Sequence, residues 1–150
     1  MLQDFIDNKH YVFHESFDSW EDAIIASCQP LVDDNTIEPV YVQAVIDCVH
    51  EHGPYIVIAP DVAMPHSTAN ADGVNGTAIS FMRVKEPVVF VEGNPDKNAR
   101  LFFVLASTDA EKHMENIVKL TDILMNPDII KDLLLVEDVE GLQAVADKYK

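Results

Sequence analysis

Residues 101–124 have the sequence LFFVLASTDAEKHMENIVKLTDIL, which joins the most hydrophobic segment of the chain to a helical pattern. Residues 101–106 carry no charge, and such a run is typical of a strand that is buried on both faces of a sheet. Thr108 and Glu111 have the spacing of a capping box, which predicts Thr108 as the N-cap of the following helix. The apolar residues of that helix recur at three- and four-residue steps and are Met114, Ile117, Leu120 or Thr121, and Leu124. We therefore expect a central strand that leads into an amphipathic helix.

Helical and strand-like segments are interleaved along the rest of the chain. A helix is predicted from Ser16, capped by Ser16 or Asp18, and a second helix begins near Pro39 and stops at Gly53. The predicted strands are 55–59, 77–84 and 87–91, and residues 2–13 are expected to form a strand or an ordered arm. Residues 127–136 are expected to form a short helix with a strand-like end, and 138–149 a final helix. This order predicts an α/β fold, a single domain over residues 1–150 with a mixed β-sheet flanked by helices.

The charge of the chain limits its partners. The sequence has 26 acidic and 10 basic side chains, for a formal net charge of −16, and Arg83 and Arg100 are its only arginines. Binding to nucleic acid requires clustered Lys and Arg, so the composition argues against nucleic acid as a partner and disfavours anionic membranes. No apolar run approaches the roughly 20 residues that span a bilayer. The N-terminal residues lack the basic and apolar regions of a signal peptide, so we expect no direct membrane insertion and a cytoplasmic location.

The sequence contains no motif for a bound cofactor. It has neither the glycine-rich loop that cradles nucleotide phosphates nor the fingerprint of dinucleotide-binding folds, so no cofactor is expected. Cys28 and Cys48 form no Cys-x-x-Cys pair and lie in predicted helices, which predicts buried free thiols. The pairs His10/His14 and His50/His52 would bind a metal only if their segments brought the rings together. We therefore expect no metal site, and a histidine metal site stays a minor alternative.

Two further histidines are candidates for chemistry. His66 follows a predicted strand and a proline, in a loop of small residues, and a neutral imidazole is a nucleophile at cellular pH. His113 is expected in the first turn of the helix after the central strand, where free backbone N–H groups attract anions. The alternative is structural for both: His66 as a loop histidine bonded to the backbone, and His113 as a surface or partly buried residue. From spacing alone, nothing links one histidine to the other.

Three short motifs give the chain a resemblance to a known family. The sequence is GPYIVIAP at 53–60, MPH at 64–66 and EKHM at 111–114, the last placed after the central strand. This pattern resembles the enzyme IIA components of the bacterial phosphoenolpyruvate-dependent sugar phosphotransferase system. It is similar to their mannitol/fructose-type superfamily, and most similar to the L-ascorbate-type branch. The likeness runs from about residue 16 to the end of the chain, which implies one enzyme IIA-type domain over residues 1–150.

The resemblance implies a phosphotransferase with His66 and His113 as catalytic residues. His66 would accept a phosphoryl group from the phosphocarrier HPr and pass it to a cysteine of a cognate enzyme IIB, which energises uptake of a sugar or of L-ascorbate. His113 would lie beside it and stabilise the phosphoryl charge. The acidic half, with 13 acidic residues and one basic residue in 1–75, would help to dock a basic carrier surface.

The sequence departs from the family pattern where cations are expected. The branch commonly has Ala and then Arg after the histidine, where this chain has Ser67 and Thr68. Mannitol-type members carry an arginine at the position of Cys48. An alternative function is therefore a regulatory binding module that signals its phosphorylation state to a partner outside transport. A homodimer also stays open, and the sequence does not identify the sugar.

Overall fold

The computed structural model describes residues 1–150 and contains six α-helices and one five-stranded sheet. The helices are α1 (Leu2–Asp7), α2 (Trp20–Asp33), α3 (Pro39–His52), α4 (Ala110–Leu124), α5 (Pro127–Leu134) and α6 (Val139–Lys148). The strands are β1 (Tyr11–His14), β2 (Val57–Ala59), β3 (Asp61–Ala63), β4 (Ala78–Val89) and β5 (Asn98–Ala106). A single 3-10 turn, Pro95–Lys97, precedes β5. The predicted α/β class with a mixed sheet and flanking helices is confirmed. None of the helices is both long and apolar enough to cross a membrane.

The sheet has the order β1-β4-β5-β3-β2 and contains both kinds of pairing. β4 pairs antiparallel with β5, while β1 runs parallel to β4 and β3 runs parallel to β5. β5 is therefore the central strand, as its composition predicts, and its last six residues are all buried. Side chains alternate across a strand, so Phe102 and Val104 face one helical layer, and Leu101 and Phe103 face the other.

Two hydrophobic cores lie on the two faces of the sheet. The first contains 20 buried residues and joins the sheet to α2 and α3. The second contains 16 and joins it to α1, α4, α5 and α6. Within the second core, Phe5 of α1 stacks on Phe81, with ring centroids 6.0 Å apart. The sheet is thus covered on both faces, which holds the carboxyl end of β5 in a fixed position between two layers.

Helices α2, α3 and α4 form where the sequence predicts helices, but the residues that cap α2 and α4 differ from those predicted. α3 begins at Pro39 and ends before Gly53, as the sequence indicates. α2 is capped by Ser19, which accepts from the Asp22 amide, so Ser16 and Asp18 are wrong as caps. Asp109, not Thr108, caps α4 and accepts from the Glu111 amide. Thr108 instead donates its amide to Thr77 Oγ1, so the capping box predicted at that site does not form.

Several strand predictions also need correction. Residues 2–13 divide into helix α1 and strand β1, because Phe5 of the short helix packs against the sheet. The two strands predicted at 77–84 and 87–91 are one strand, β4, with an irregularity between Arg83 and Val88. The loop expected after Ala59 contains a further strand, β3, which the pairing with β5 stabilises. No strand follows α5, whose helix ends at Leu134.

Candidate functional site

His66 lies at the carboxyl end of the central strand. β3 ends at Ala63, and the chain continues beside β5, where the Leu105 amide donates to the Pro65 carbonyl at 3.0 Å. The Asn70 amide then donates to the Ser107 carbonyl at 2.7 Å. The segment that contains His66 is therefore fixed to β5 on both sides of the histidine. Such a rigid framework positions a reactive side chain although the residue is outside any helix or strand.

The local contacts of His66 select one form of its imidazole. Nδ1 lies 2.5 Å from the carbonyl oxygen of Met64. A carbonyl only accepts, so Nδ1 carries the proton and the lone pair of the neutral ring is on Nε2. The hydroxyl of Tyr55 donates to the His66 carbonyl, and the Tyr55 ring stands edge-on to the imidazole with centroids 5.4 Å apart. The side chain is half-buried and oriented from two directions.

His113 lies beside His66. The two ring centroids are 6.0 Å apart, at an interplanar angle of 55°. His113 is in the first turn of α4, where its amide donates to the Asp109 carbonyl at 2.9 Å. The residue is only 8% exposed, and its Nδ1 is buried without a hydrogen-bond partner. A buried, unpaired ring nitrogen is costly, and a catalytic role is one reason why a protein retains such a group. The alternative of a surface histidine is therefore wrong, and His113 differs from its helical neighbour Met114, which is 60% exposed.

The environment of His113 favours its neutral form. Burial lowers the pKa of His113 below its ordinary value of 6.5, and positive charge on His66 lowers it further. The backbone of Ser67 acts in the opposite direction and does not compensate. Near neutral pH the site therefore contains an uncharged His113 next to His66. An anion bound between them would reverse this preference, because negative charge stabilises the protonated ring.

Tyr41, two residues after Pro39 in α3, is a part of the site that no sequence motif singles out. Its ring is fully buried, and its hydroxyl donates to the Leu105 carbonyl at 2.8 Å. The same hydroxyl accepts from the Ser67 amide at 3.0 Å. Burial raises the pKa of Tyr41 to about 12, so the hydroxyl keeps its proton. The available signal was that a buried tyrosine needs a partner for its hydroxyl, and here the partner is the residue after His66.

Cys48 lies close to the same segment. Its Sγ atom is 3.8 Å from Ser67 Oγ, and the residue is partly buried, whereas Cys28 is fully buried, so the expectation of two buried thiols holds for Cys28 alone. Burial raises the pKa of Cys28 to about 12, which keeps that thiol protonated and unreactive. Both arginines lie elsewhere: Arg83 and Arg100 donate to the carbonyl of Leu134. Neither of the chain's two guanidinium groups supplies charge to the two histidines.

The remaining histidines are not brought to this site. His14 ends strand β1, and the rings of His50 and His52 lie near Glu21 and Glu51 respectively. His10 is bonded to Asp34. No group of three or more His, Cys, Asp or Glu side chains could hold a metal ion.

Comparison with known proteins identifies the family. The model of the phosphoenolpyruvate-dependent sugar phosphotransferase system EIIA 2 family matches residues 4–148. The chain is 33% identical over 136 residues to the ascorbate-specific PTS system EIIA component of Mycoplasma pneumoniae, covering 90% of this chain and 84% of that protein. It is also 33% identical over 137 residues to the mannitol-specific cryptic phosphotransferase enzyme IIA component of Escherichia coli, covering 91% of this chain and 90% of that protein.

Two solved structures share the fold. The solution structure of the Escherichia coli cryptic mannitol enzyme IIA has a TM-score of 0.82 at 31% identity and covers 96% of each chain. The Escherichia coli complex of mannitol enzyme IIA with phosphorylated enzyme IIB has a TM-score of 0.75 at 27% identity, covering 91% of this chain and 93% of that one. The resemblance predicted from the sequence is confirmed. The chain belongs to the EIIA 2 family of the phosphoenolpyruvate-dependent sugar phosphotransferase system, whose members are phosphotransferases that carry a phosphohistidine.

Proposed function

We propose that His66 receives a phosphoryl group from phosphorylated HPr and passes it to a cysteine of a cognate enzyme IIB. The observation that carries this proposal is the pairing of a half-buried His66, protonated on Nδ1, with a buried His113 whose ring centroid is 6.0 Å away. In the related Escherichia coli complex, mannitol enzyme IIA is bound to phosphorylated enzyme IIB, which supports an enzyme IIB as the acceptor. The proposal includes a single enzyme IIA-type domain over residues 1–150 and, with HPr as donor, a cytoplasmic location.

The nucleophile in this proposal is Nε2 of His66. The Met64 carbonyl holds the proton on Nδ1, so the Nε2 lone pair attacks phosphorus in line with the donor. The bond between phosphorus and the donor breaks, and its electron pair stays on the donor. In the second step the cysteine sulfur of enzyme IIB attacks phosphorus, and the P–N bond returns its electrons to Nε2. Neither step needs a nucleotide, because the group arrives already activated.

His113 is proposed to stabilise the phosphoryl group through one hydrogen bond and through its own protonation. It is uncharged before transfer, because burial and the charge of His66 lower its pKa. Once the phosphoryl oxygens bring negative charge to His66, whose ring centroid is 6.0 Å from that of His113, this charge favours the protonated form of His113. The unpaired Nδ1 or the opposite ring nitrogen then has a proton to donate to a phosphoryl oxygen.

The transported compound is assigned through relatives and not through the site. An enzyme IIA passes its phosphoryl group to enzyme IIB and does not bind the sugar. Relatives named as ascorbate-specific and as mannitol-specific match this chain at equal identity, 33%. We take L-ascorbate as the first compound to test, on the ascorbate-like motif at 53–66.

The decisive experiment is intact-protein mass spectrometry after incubation with phosphoenolpyruvate, enzyme I and HPr. We expect one acid-labile phosphoryl adduct on the wild type and none on His66→Ala. His52→Ala is the matched control, because the His52 side chain is 63% exposed and its charged partner is Glu51, and it should be labelled like the wild type. His113→Ala should be phosphorylated more slowly and transfer poorly to enzyme IIB. A phosphohistidine on His66→Ala would refute the assignment.

A regulatory role is the second candidate, and the absence of cations at the site favours it. Cys48 and Thr68 occupy the positions where arginines were expected from the family, and both arginines of this chain bond to Leu134. A carrier with fewer cations would turn over slowly and would still bind partners according to its phosphorylation state. A stable complex with a protein outside transport, lost on phosphorylation of His66, would support this role. Rapid transfer to an enzyme IIB would exclude it as the main function.

A further inference from the structure

A polar cavity lies between α1, the start of β4 and α4, and neither His66 nor His113 lines it. Its volume is about 480 Å³, which is in the range of pockets that hold small molecules. The chain has 26 acidic side chains and only 10 basic ones, yet the cavity is lined by Lys112 and Lys119 against a single carboxylate, Asp4. Asp4 is 74% exposed and lies 3.8 Å from the N-terminal ammonium of Met1, which also lines the cavity. The balance of charge in this cavity is thus opposite to that of the whole chain.

The basic wall of the cavity is one face of α4. Lys112, Asn116 and Lys119 follow one another at four- and three-residue steps, so their side chains lie on the same side of the helix. Lys119 has no ion-pair partner, and Lys112 meets only Glu115, at 3.7 Å, with both side chains about half exposed. A pair of that kind contributes little and is easily exchanged. Lys119 is therefore free to bind an anion, and Lys112 can exchange the Glu115 carboxylate for one.

The opposite wall contains a buried histidine that the phosphotransfer site does not use. His10 is only 7% exposed, and its Nε2 lies 2.5 Å from Asp34 Oδ2. The carboxylate orients the ring, and Nδ1 makes no hydrogen bond within the chain. Asp34 is itself held by the amide and hydroxyl of Thr36, at 3.0 and 2.6 Å. Burial alone would raise the pKa of Asp34, but these hydrogen bonds outweigh it and keep that pKa below its usual value.

We propose that this cavity binds a small organic phosphate whose remaining part carries hydroxyl groups. A phosphate monoester has a charge of about −1.5 to −2 at neutral pH, which two lysines match. Lysine is a common phosphate ligand as a point charge. His10 and Asn116 offer the mixed donors and acceptors that hydroxyl groups need, and Phe5 provides an apolar surface beside them.

Calorimetric titration of the unphosphorylated protein with glucose 6-phosphate at low ionic strength tests this proposal. We expect saturable one-to-one binding to the wild type, with affinity at least about tenfold lower in the double variant Lys112→Gln/Lys119→Gln. Lys85→Gln/Lys131→Gln is the control, because it removes the same two charges from exposed positions outside the cavity, and it should bind like the wild type. Asp34→Asn should also weaken binding, because it releases the orientation of His10.

Two further ligands separate the parts of the proposal. Glucose tests the hydroxyl contacts without the charge, and inorganic phosphate tests the charge without the hydroxyls. Both should bind more weakly than glucose 6-phosphate. Absence of saturable binding, or equal binding by wild type and double variant, would overturn the site, and equal affinity for inorganic phosphate would overturn the hydroxyl contacts. Because the titration uses no phosphoryl donor, its failure would leave the proposed role of His66 untouched.

Discussion

Replacing Tyr41 by phenylalanine tests how the segment after His66 is held. The substitution keeps the aromatic ring in the core and removes only the hydroxyl. That hydroxyl connects the Leu105 carbonyl on the central strand to the Ser67 amide, at 2.8 and 3.0 Å. Tyr41→Phe therefore leaves one acceptor and one donor without their shared partner, and creates no cavity.

The expected loss of stability follows from those two groups. A buried polar group left unpaired costs about 1–3 kcal/mol. Ser67 is half-buried, so water can reach its amide, and Leu105 keeps the second lone pair of its carbonyl, so both losses fall at the low end. Together they predict a destabilisation of about 2 kcal/mol. For a chain of this size that corresponds to a fall in Tm of roughly 4–8 °C.

Urea unfolding followed by circular dichroism measures this loss, and Tyr11→Phe is the control. Tyr11 is a partly buried tyrosine that packs on Phe13, and its hydroxyl makes no hydrogen bond in the chain. Its substitution should change the free energy of unfolding by less than about 0.5 kcal/mol. The initial rate of phosphorylation of Tyr41→Phe should also fall, with the final extent unchanged, because the residue next to His66 loses an anchor.

Two outcomes would contradict this reasoning. If Tyr41→Phe were as stable as Tyr11→Phe, the two hydrogen bonds would have no net value in the folded protein. If it were destabilised but phosphorylated at the wild-type rate, the hydroxyl would stabilise the fold without positioning the segment after His66.

Cys48→Arg should raise the equilibrium constant for phosphoryl transfer from phosphorylated HPr by about tenfold, because it brings a guanidinium toward Ser67; an unchanged or lower constant would contradict this. Leu120→Ala should cost about 2–5 kcal/mol in urea unfolding, since that side chain is 1% exposed in the core below α4, and a cost under 1 kcal/mol would be inconsistent with that packing. As the pH falls, His113 is protonated in the unfolded chain before it is protonated in the folded protein, so the free energy of unfolding should fall as the pH drops through about 6.5 toward the lowered folded pKa. His113→Gln should reduce the dependence of that free energy on pH between about pH 7.5 and 5.5. An unchanged dependence would show that other groups cause it.

The parts of the fold that were predictable are those with local causes. Pro39 and Gly53 set the ends of α3 through their own backbone preferences. The uncharged run at 101–106 predicts a central strand, because only a strand covered on both faces buries such a segment. Helix α1 was missed because six residues are too few for a periodic pattern, and it is stabilised by Phe5 against Phe81, a contact distant in the sequence.

The meeting of the two histidines was not predictable from spacing. It depends on β3 running parallel to β5, with Ala63 opposite Phe102, and on the continuation of that pairing to Pro65. Neither the existence of a three-residue strand nor its register leaves a local pattern in the sequence. The family resemblance supplied the link between His66 and His113, and the geometry now gives it a physical basis in the parallel pairing.

The electrostatics of the site explain how it could work without an arginine. A guanidinium is always charged, so it would attract the phosphoryl group equally strongly while the group arrives, stays on the protein and leaves. Burial and His66 lower the pKa of His113, which favours its neutral form in the resting protein, and under the proposed function it would become a cation only when negative charge arrives. Under the proposed function, part of the stabilisation therefore appears with the phosphoryl group and disappears when the group leaves. A carrier that must both accept and release benefits from such a conditional charge, because a site that binds too tightly would retain the group it has to pass on.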